Sequence, residues 1–177
     1  MNETYELRTP ESHIEVHKFR PGAILITLVV IFFLQAFVPV YFHRLAILDL
    51  PLLITIYFGL SRRNPSTGLL LGMAIGIAQD SLSGPTVPIG LYGIAKTVIG
   101  YLASSIGARL DTEHPAARFA LIVVFFGLHQ GILVLERRIL LAQPEVWFTV
   151  QLGIAALINA IVGVLLFTLL DRLRKPS

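Results

Sequence analysis

Six apolar segments separated by short polar links make up most of this chain, and they constrain its fold more than any other feature. A helix that crosses a membrane needs about 20 mostly apolar residues, with a range of roughly 17–25. The sequence predicts such spans at about residues 22–40, 46–60, 66–83, 87–108, 117–135 and 149–170. The composition agrees, since 55% of the 177 residues are hydrophobic and 14% are charged, whereas soluble domains carry about 25% charge. We therefore expect an all-α membrane protein, built as a six-transmembrane-helix bundle.

The distribution of basic residues predicts how this bundle is oriented in the membrane. Lys and Arg near span ends stay on the cytoplasmic side. With the N-terminus inside, the outer loops hold only Arg44, Arg137 and Arg138, while Lys96 lies within a span. The other ten of the 14 basic residues then face the cytoplasm: Arg8, Lys18, Arg20, Arg62, Arg63, Arg109, Arg118, Arg172, Arg174 and Lys175. Both termini are therefore predicted to be cytoplasmic, with the tip of the hairpin at Gly84 facing outward.

The predicted organisation is one membrane domain with short extensions. Residues 1–20 form a cytoplasmic N-terminal arm, residues 21–172 the six-span domain and residues 173–177 a cytoplasmic tail. Within the arm, residues 13–18 alternate polar and apolar side chains, which is a weak strand signal. The arm is either a solvated tail or a segment that pairs with a cytoplasmic partner.

Glycines recur every four residues along the third segment, at Gly68, Gly72 and Gly76. This small-xxx-small spacing allows the backbones of two membrane helices to approach closely. The fourth segment carries a matching stripe that includes Gly93 and Gly100. These stripes indicate tight packing, either within the bundle or against a helix of another protein.

Asp80 and Lys96 are ionisable groups within predicted spans, on either side of the hairpin turn. Such a group costs roughly 2.5–3.5 kcal/mol at a helix centre, so it must be paired or face a cavity. Their offsets from the turn put them at depths that differ by roughly 4–5 Å, at 1.5 Å of rise per residue. We predict an ion pair that joins the third and fourth spans. The alternatives are a site for a ligand head group or for a partner's polar residue, and independent roles for the two residues.

Several uncharged or weakly charged polar side chains within the spans are candidates for hydrogen bonds between helices. These are Gln35, His129, Gln130, Gln151 and Asn159. We interpret His129 as a buried histidine with a hydrogen-bond partner in the bundle. The alternative is that it extends a proton pathway from Asp80 and Lys96.

The sequence carries no residue set typical of catalysis or metal binding. Asp80 is the only acid deep in a predicted span apart from Asp49, near the start of the second. The chain has no cysteine, which removes thiol chemistry and cysteine-based metal sites. The basic residues cluster at span ends and form no nucleic-acid patch. We expect no enzymatic activity, no catalytic, cofactor-binding or metal site, no cofactor and no nucleic-acid partner.

Residues 49–101 resemble the MreD family, the small polytopic subunit of the bacterial rod-shape machinery, or elongasome. The matching features are Asp49-Leu50-Pro51, Tyr57-Phe58-Gly59-Leu60, Arg62-Arg63 with Pro65, the glycine-rich helix to Asp80, Leu82-Ser83-Gly84, Gly90, and Gly100-Tyr101. Two positions depart from the family pattern, because Gln79 and Lys96 stand where apolar residues are more usual.

This resemblance implies a non-enzymatic scaffold in the bacterial inner (cytoplasmic) membrane that supports peptidoglycan synthesis and cell-shape control. The implied fold is similar to that of the substrate-binding components of energy-coupling-factor vitamin transporters. The implied partners are an MreC-like bitopic protein first, then a RodA-type transglycosylase, a class B penicillin-binding transpeptidase and the MreB filament; membrane lipid surrounds the bundle. By position, Asp80 and Gly84 match the family's acid-and-turn signature, and Gly76 its close-packing glycine.

Two other functions remain as alternatives. The first is a small-molecule, vitamin-type binding component of a transporter, which needs an outward-facing pocket. The second is a lipid-active enzyme, which needs acids that this sequence lacks. The candidate structural or partner-contact residues are Gly68, Gly72, Gly76, Asp80, Gly84, Gly93, Lys96, Gly100 and His129.

Overall fold

A computed structural model describes residues 21–42, 47–84, 87–110, 112, 114–144, 146–147 and 149–172. These residues form six α-helices and no strand. The helices are α1 (Pro21–Tyr41), α2 (Leu50–Arg62), α3 (Pro65–Leu82), α4 (Leu91–Gly107), α5 (Pro115–Leu140) and α6 (Val150–Asp171). The all-helical architecture is thus confirmed for this part of the chain. The predicted arm, with its strand signal at residues 13–18, and the predicted tail at residues 173–177 lie outside the described residues.

Polar residues set where several of these helices begin. The side chain of Asp49 accepts a hydrogen bond from Leu52 N at the start of α2, and that of Asn64 accepts from Ser66 N and Thr67 N at the start of α3. Both helices have proline in the first turn, where its missing N–H costs nothing. The Asp49 cap explains why α2 begins at residue 50, four residues later than the predicted span.

Helix α2 lies at the centre of the bundle and contacts each of the other five helices. All its residues from Pro51 to Ser61 are buried. The α3–α4 hairpin packs closely on one side of it, α5 and α6 pair with each other, and α1 contacts α2. The hydrophobic core is formed where these elements meet, and its largest side chains include Tyr57, Phe58, Phe125, Phe126 and Phe167.

Two of the described helices, α5 and α6, are long and apolar enough by length and composition to cross a membrane. Shorter apolar helices run over Ile24–Phe37 and Leu50–Arg62. The 13 residues of α2 extend about 20 Å at 1.5 Å per residue, against a hydrocarbon thickness of about 30 Å. The six spans and the cytoplasmic position of both termini remain predictions.

Candidate functional site

Helices α3 and α4 are in backbone contact along the glycine ladder. A Cβ atom added at Gly72 would overlap the carbonyl oxygen of Lys96, and one added at Gly76 would overlap that of Tyr92. The same kind of overlap would arise at Gly68 and Gly100, which face each other, and at Gly107, where α4 meets Leu60 of α2. Helices α3 and α4 can approach this closely because small residues recur along the shared face. The ladder therefore packs inside the bundle.

Asp80 caps the N-terminus of α4. Its carboxylate accepts hydrogen bonds from the backbone N–H groups of Gly90 (2.8 Å), Tyr92 (2.9 Å) and Gly93 (3.0 Å), and the residue is 1% exposed. The first N–H groups of a helix have no partner within the helix and carry its positive dipole end, so a carboxylate is favoured there. Asp80 thus joins the end of α3 to the start of α4 across the hairpin turn.

Gly84 and Gly93 occupy different positions in the same turn region. Gly84 has φ +84°, in the left-handed region that favours glycine, and an added Cβ would meet nothing within 4 Å. A Cβ added at Gly93 would lie 3.3 Å from Asp80 Oδ2. Gly84 thus provides the left-handed backbone conformation of the turn, and Gly93 leaves room for the capping carboxylate of Asp80.

Lys96 is fully buried and pairs with Asp49, not with Asp80. The Lys96 Nζ atom lies 2.9 Å from Asp49 Oδ2 and 3.2 Å from His129 Nε2. It also lies 5.0 Å from the centre of the Tyr92 ring, within range of a cation–π interaction. The predicted ion pair between Asp80 and Lys96 is therefore wrong, because backbone N–H groups occupy the Asp80 carboxylate.

His129 contributes an acceptor to this cluster. A charged ammonium group has only donors, so Lys96 donates and His129 Nε2 accepts. The Nδ1 atom of the same ring is buried and has no hydrogen-bond partner among the described residues. His129, which lies in α5, is thus a buried histidine whose hydrogen-bond partner is Lys96 of α4.

Two uncharged side chains hold the backbone of the residues just before α2. Gln35 of α1 donates to the carbonyl of Leu48 and accepts from Leu50 N. Asn159 of α6 accepts from Asp49 N and donates to the carbonyl of Ile47. Backbone outside regular structure is tolerated at membrane depth only where protein or water satisfies it. The hydrogen bonds predicted for Gln35 and Asn159 are therefore present, and they support the residue that pairs with Lys96.

A second charged cluster joins α2, α5 and α6, at the start of α5 and the end of α6. Arg118 Nη1 lies 2.6 Å from Asp171 Oδ2, and its Nε donates to the carbonyl of Thr112. The hydroxyl of Tyr57 donates to Asp171 Oδ1 at 3.0 Å. The guanidinium also lies 6.0 Å from the centre of the Phe167 ring. Sequence reasoning did not identify this cluster, because Arg118 and Asp171 lie at span ends, where charges are ordinary.

Asp49 was the main site residue that sequence reasoning missed. It is an acid near the start of an apolar segment, and Pro51 follows it two residues later. That pattern indicates a helix N-cap, and it is the sequence signal from which this role of Asp49 could have been predicted. Nothing local in the sequence indicates that its second carboxylate oxygen bonds a lysine 47 residues further along.

Five side chains have buried polar atoms without a hydrogen-bond partner among the described residues. These atoms are Arg62 Nε, Gln79 Oε1, Ser104 Oγ, His129 Nδ1 and both carboxylate oxygens of Glu136. No group of three His, Cys, Asp or Glu residues that could hold a metal ion occurs in the described part of the chain. The charged groups that do meet neutralise one another across helices, an arrangement suited to fixing helix positions.

Comparison with known protein families gave one result. The family model described as "rod shape-determining protein MreD" matches residues 18–175, nearly the whole chain. The search of curated proteins and the search of solved structures gave no match. The match extends the resemblance from residues 49–101 to all six helices.

Proposed function

Since this chain belongs to the MreD family of rod shape-determining membrane proteins, we propose that it is a non-enzymatic scaffold subunit of the bacterial elongasome. In this proposal it lies in the cytoplasmic membrane as a six-span bundle with both termini inside. It binds an MreC-like bitopic protein and supports peptidoglycan synthesis by a RodA-type transglycosylase and a class B penicillin-binding transpeptidase. The MreB filament is the cytoskeletal partner of the same assembly.

The observation that carries this proposal is the use of buried charge to join helices. Lys96 and Asp49 join α4 to the start of α2, and Arg118 and Asp171 join α5 to α6. Asp80 is bonded to the backbone of α4. Groups that are saturated by bonds within the fold are suited to holding a shape, whereas a catalytic group needs free access to a substrate.

The backbone contact between α3 and α4 supports the same proposal. A hairpin whose glycines leave no space for a Cβ atom has little freedom to open, since packed interfaces do not deform continuously. A transporter component or an enzyme with a moving gate needs such freedom at its site. No comparison supports the alternative function as a vitamin-type binding component.

Co-purification tests the proposal. The tagged full chain, extracted from its own host in mild detergent, should retain an MreC-like bitopic protein. Depletion of the chain should convert rod-shaped cells to round ones, and expression of the wild-type chain should restore them. Recovery with an ATPase-driven transporter module, with no bitopic partner and unchanged cell shape, would contradict the proposal.

A matched pair of variants separates a scaffold from an active site. Lys96→Met removes the buried pair, whereas Ser81→Ala changes an exposed residue whose hydroxyl donates to the carbonyl of Ile77 in its own helix. A scaffold should retain its partner in proportion to the fraction of Lys96→Met protein that is folded, and Ser81→Ala should behave as wild type. Full partner retention by folded Lys96→Met protein, with cell shape lost, would indicate that Lys96 has a chemical role.

A further inference from the structure

Glu136 is a buried acid near the end of α5, just after the predicted fifth span, which ends at about residue 135. The residue is 8% exposed, and neither of its carboxylate oxygens has a hydrogen-bond partner among the described residues. One turn earlier in α5, Leu133 packs with Leu91 and Ala95 at the start of α4. Glu136 therefore lies beside the contact between α4 and the end of α5.

The neighbouring helices α3 and α4 bring no counter-ion to Glu136. From the end of α3, Asp80 contributes a second negative charge, which disfavours ionisation of Glu136. The titratable groups on this part of α4 are Tyr92, an uncharged phenol, and Lys96, whose ammonium group pairs with Asp49. Glu136 forms no ion pair with any of the described residues.

The two arginines that follow Glu136 in α5 bond to other groups. Arg137 donates a hydrogen bond to the hydroxyl of Tyr92, and Arg138 lies over a tryptophan ring. Helix α6, which pairs with α5, has no charged residue before Asp171 at its far end. An ionised Glu136 would thus be a buried charge without a counter-ion, which is costly, so the neutral acid is favoured.

We propose that Glu136 holds a proton in the folded bundle and that loss of this proton loosens the contact between α4 and the end of α5. Burial, together with the charge of Asp80, raises the pKa of Glu136 to about 7, so the proton is lost near neutral pH. Proton binding at equilibrium depends only on the folded and unfolded states and needs no open path to the carboxyl group. In the predicted orientation this end of the bundle faces outward, so the contact responds to external pH. The inference does not depend on the scaffold function.

Unfolding at several pH values tests the proton on Glu136. The tagged full chain is unfolded by denaturant in mild detergent from about pH 5 to about pH 8, as wild type and as Glu136→Gln, which keeps the shape of the neutral acid. The unfolded carboxyl group has its ordinary pKa of 4.5, so the folded state binds more protons and stability falls as the pH rises from about 4.5 to about 7. We expect the wild-type unfolding constant, divided by that of Glu136→Gln, to rise by up to about tenfold per pH unit and to level off above pH 7.

Hydrogen exchange tests the loosening of the helix contact. At about pH 8 the amides of Leu91, Ala95 and Leu133 should exchange faster in the wild type than in Glu136→Gln, and comparison at one pH cancels the intrinsic exchange rates. Amides in the second half of α6 are the internal control, and Ser81→Ala, which changes an exposed uncharged residue, should behave as wild type at every pH. If Glu136→Gln does not fold, Glu136→Leu removes the same titrating group.

Three results would overturn this proposal. A ratio of unfolding constants that stays constant across the pH range would show that Glu136 binds protons equally in the folded and unfolded states. A ratio that falls as the pH rises would show that the fold stabilises the carboxylate. The expected ratio with equal amide exchange at about pH 8 would show that loss of the proton leaves the contact between α4 and α5 unchanged.

Discussion

Lys96 Nζ lies 2.9 Å from Asp49 Oδ2, which joins the middle of α4 to the residue that caps α2. A buried ion pair often adds little stability compared with apolar residues of the same volume, but removal of one partner leaves an uncompensated charge. The pair therefore fixes the position of α4 against the start of α2 more than it adds stability. Asp80 serves a separate purpose in the hairpin, where it accepts hydrogen bonds from the backbone at the start of α4.

We expect Lys96→Met to lower the free energy of unfolding by about 3–5 kcal/mol, because it leaves the Asp49 carboxylate buried and unpaired. Adding Asp49→Asn to this variant should recover part of the loss, since asparagine is neutral and still accepts from Leu52 N as an N-cap. Unfolding of the purified chain in detergent measures both values.

The matched control for the Lys96→Met and Asp49→Asn double variant is Lys96→Met combined with Asp80→Asn. These residues do not share a hydrogen bond, so their coupling energy should be smaller than that between Lys96 and Asp49. Strong coupling between Lys96 and Asp80, with none between Lys96 and Asp49, would contradict the assigned pairing.

Asp80→Ala should weaken the start of α4 and leave α5 and α6 intact. It removes the acceptor of three backbone N–H groups, at a cost of about 1–3 kcal/mol for buried donors left unpaired. Hydrogen exchange should become faster at the amides of Tyr92 and Gly93. Ser81→Ala serves as the control, and unchanged protection of both amides in Asp80→Ala would argue against the cap.

Substitution of alanine for glycine should have opposite effects on two faces of the bundle. At Gly72 an added Cβ overlaps the carbonyl of Lys96, whereas at Gly127 it meets nothing within 4 Å. Gly72→Ala should force α3 and α4 apart and lower the melting temperature. Gly127→Ala should raise it slightly, because alanine favours a helix by about 1 kcal/mol over glycine. Equal effects of the two changes would show that the close contact is not required.

Cysteine labelling tests the predicted orientation, because the chain has no cysteine of its own. Ile89 in the link before α4 is 77% exposed, and Leu110 after α4 is 57% exposed. A membrane-impermeant maleimide should label Ile89→Cys in intact cells and Leu110→Cys only after permeabilisation. The reverse pattern would show that both termini lie outside.

The helices could be predicted from the sequence because the features that indicate them, apolar length and capping residues, are local. Apolar length gives the number of helices, and Asn64 with Pro65 marks the start of α3 at residue 65, one residue from the predicted span. The close contact of α3 and α4 also follows from a local pattern, since the glycines of both helices recur at helical spacing. Helix α5 continues to Leu140, five residues beyond the predicted span, through Glu136 and two arginines. Charges near a span end do not stop a helix.

The pairing of the charges could not be predicted in the same way. Depth and proximity in the sequence favoured Asp80 as the partner of Lys96, but the free N–H groups at the start of α4 compete for that carboxylate. Asp49 reaches Lys96 only because α2 is short and begins inside the bundle. That position depends on Gln35 and Asn159, which lie on two other helices, so the partner is fixed by the assembled bundle.

The contacts of Asn159 also set an order of events in the life of the chain. Asn159 lies in α6, which is translated after the other five helices, and it bonds Ile47 and Asp49 near the start of α2. Until α6 has been made, these backbone groups lack the partner that they have in the finished bundle. The bonding around the start of the second helix is therefore complete only after the last helix has emerged.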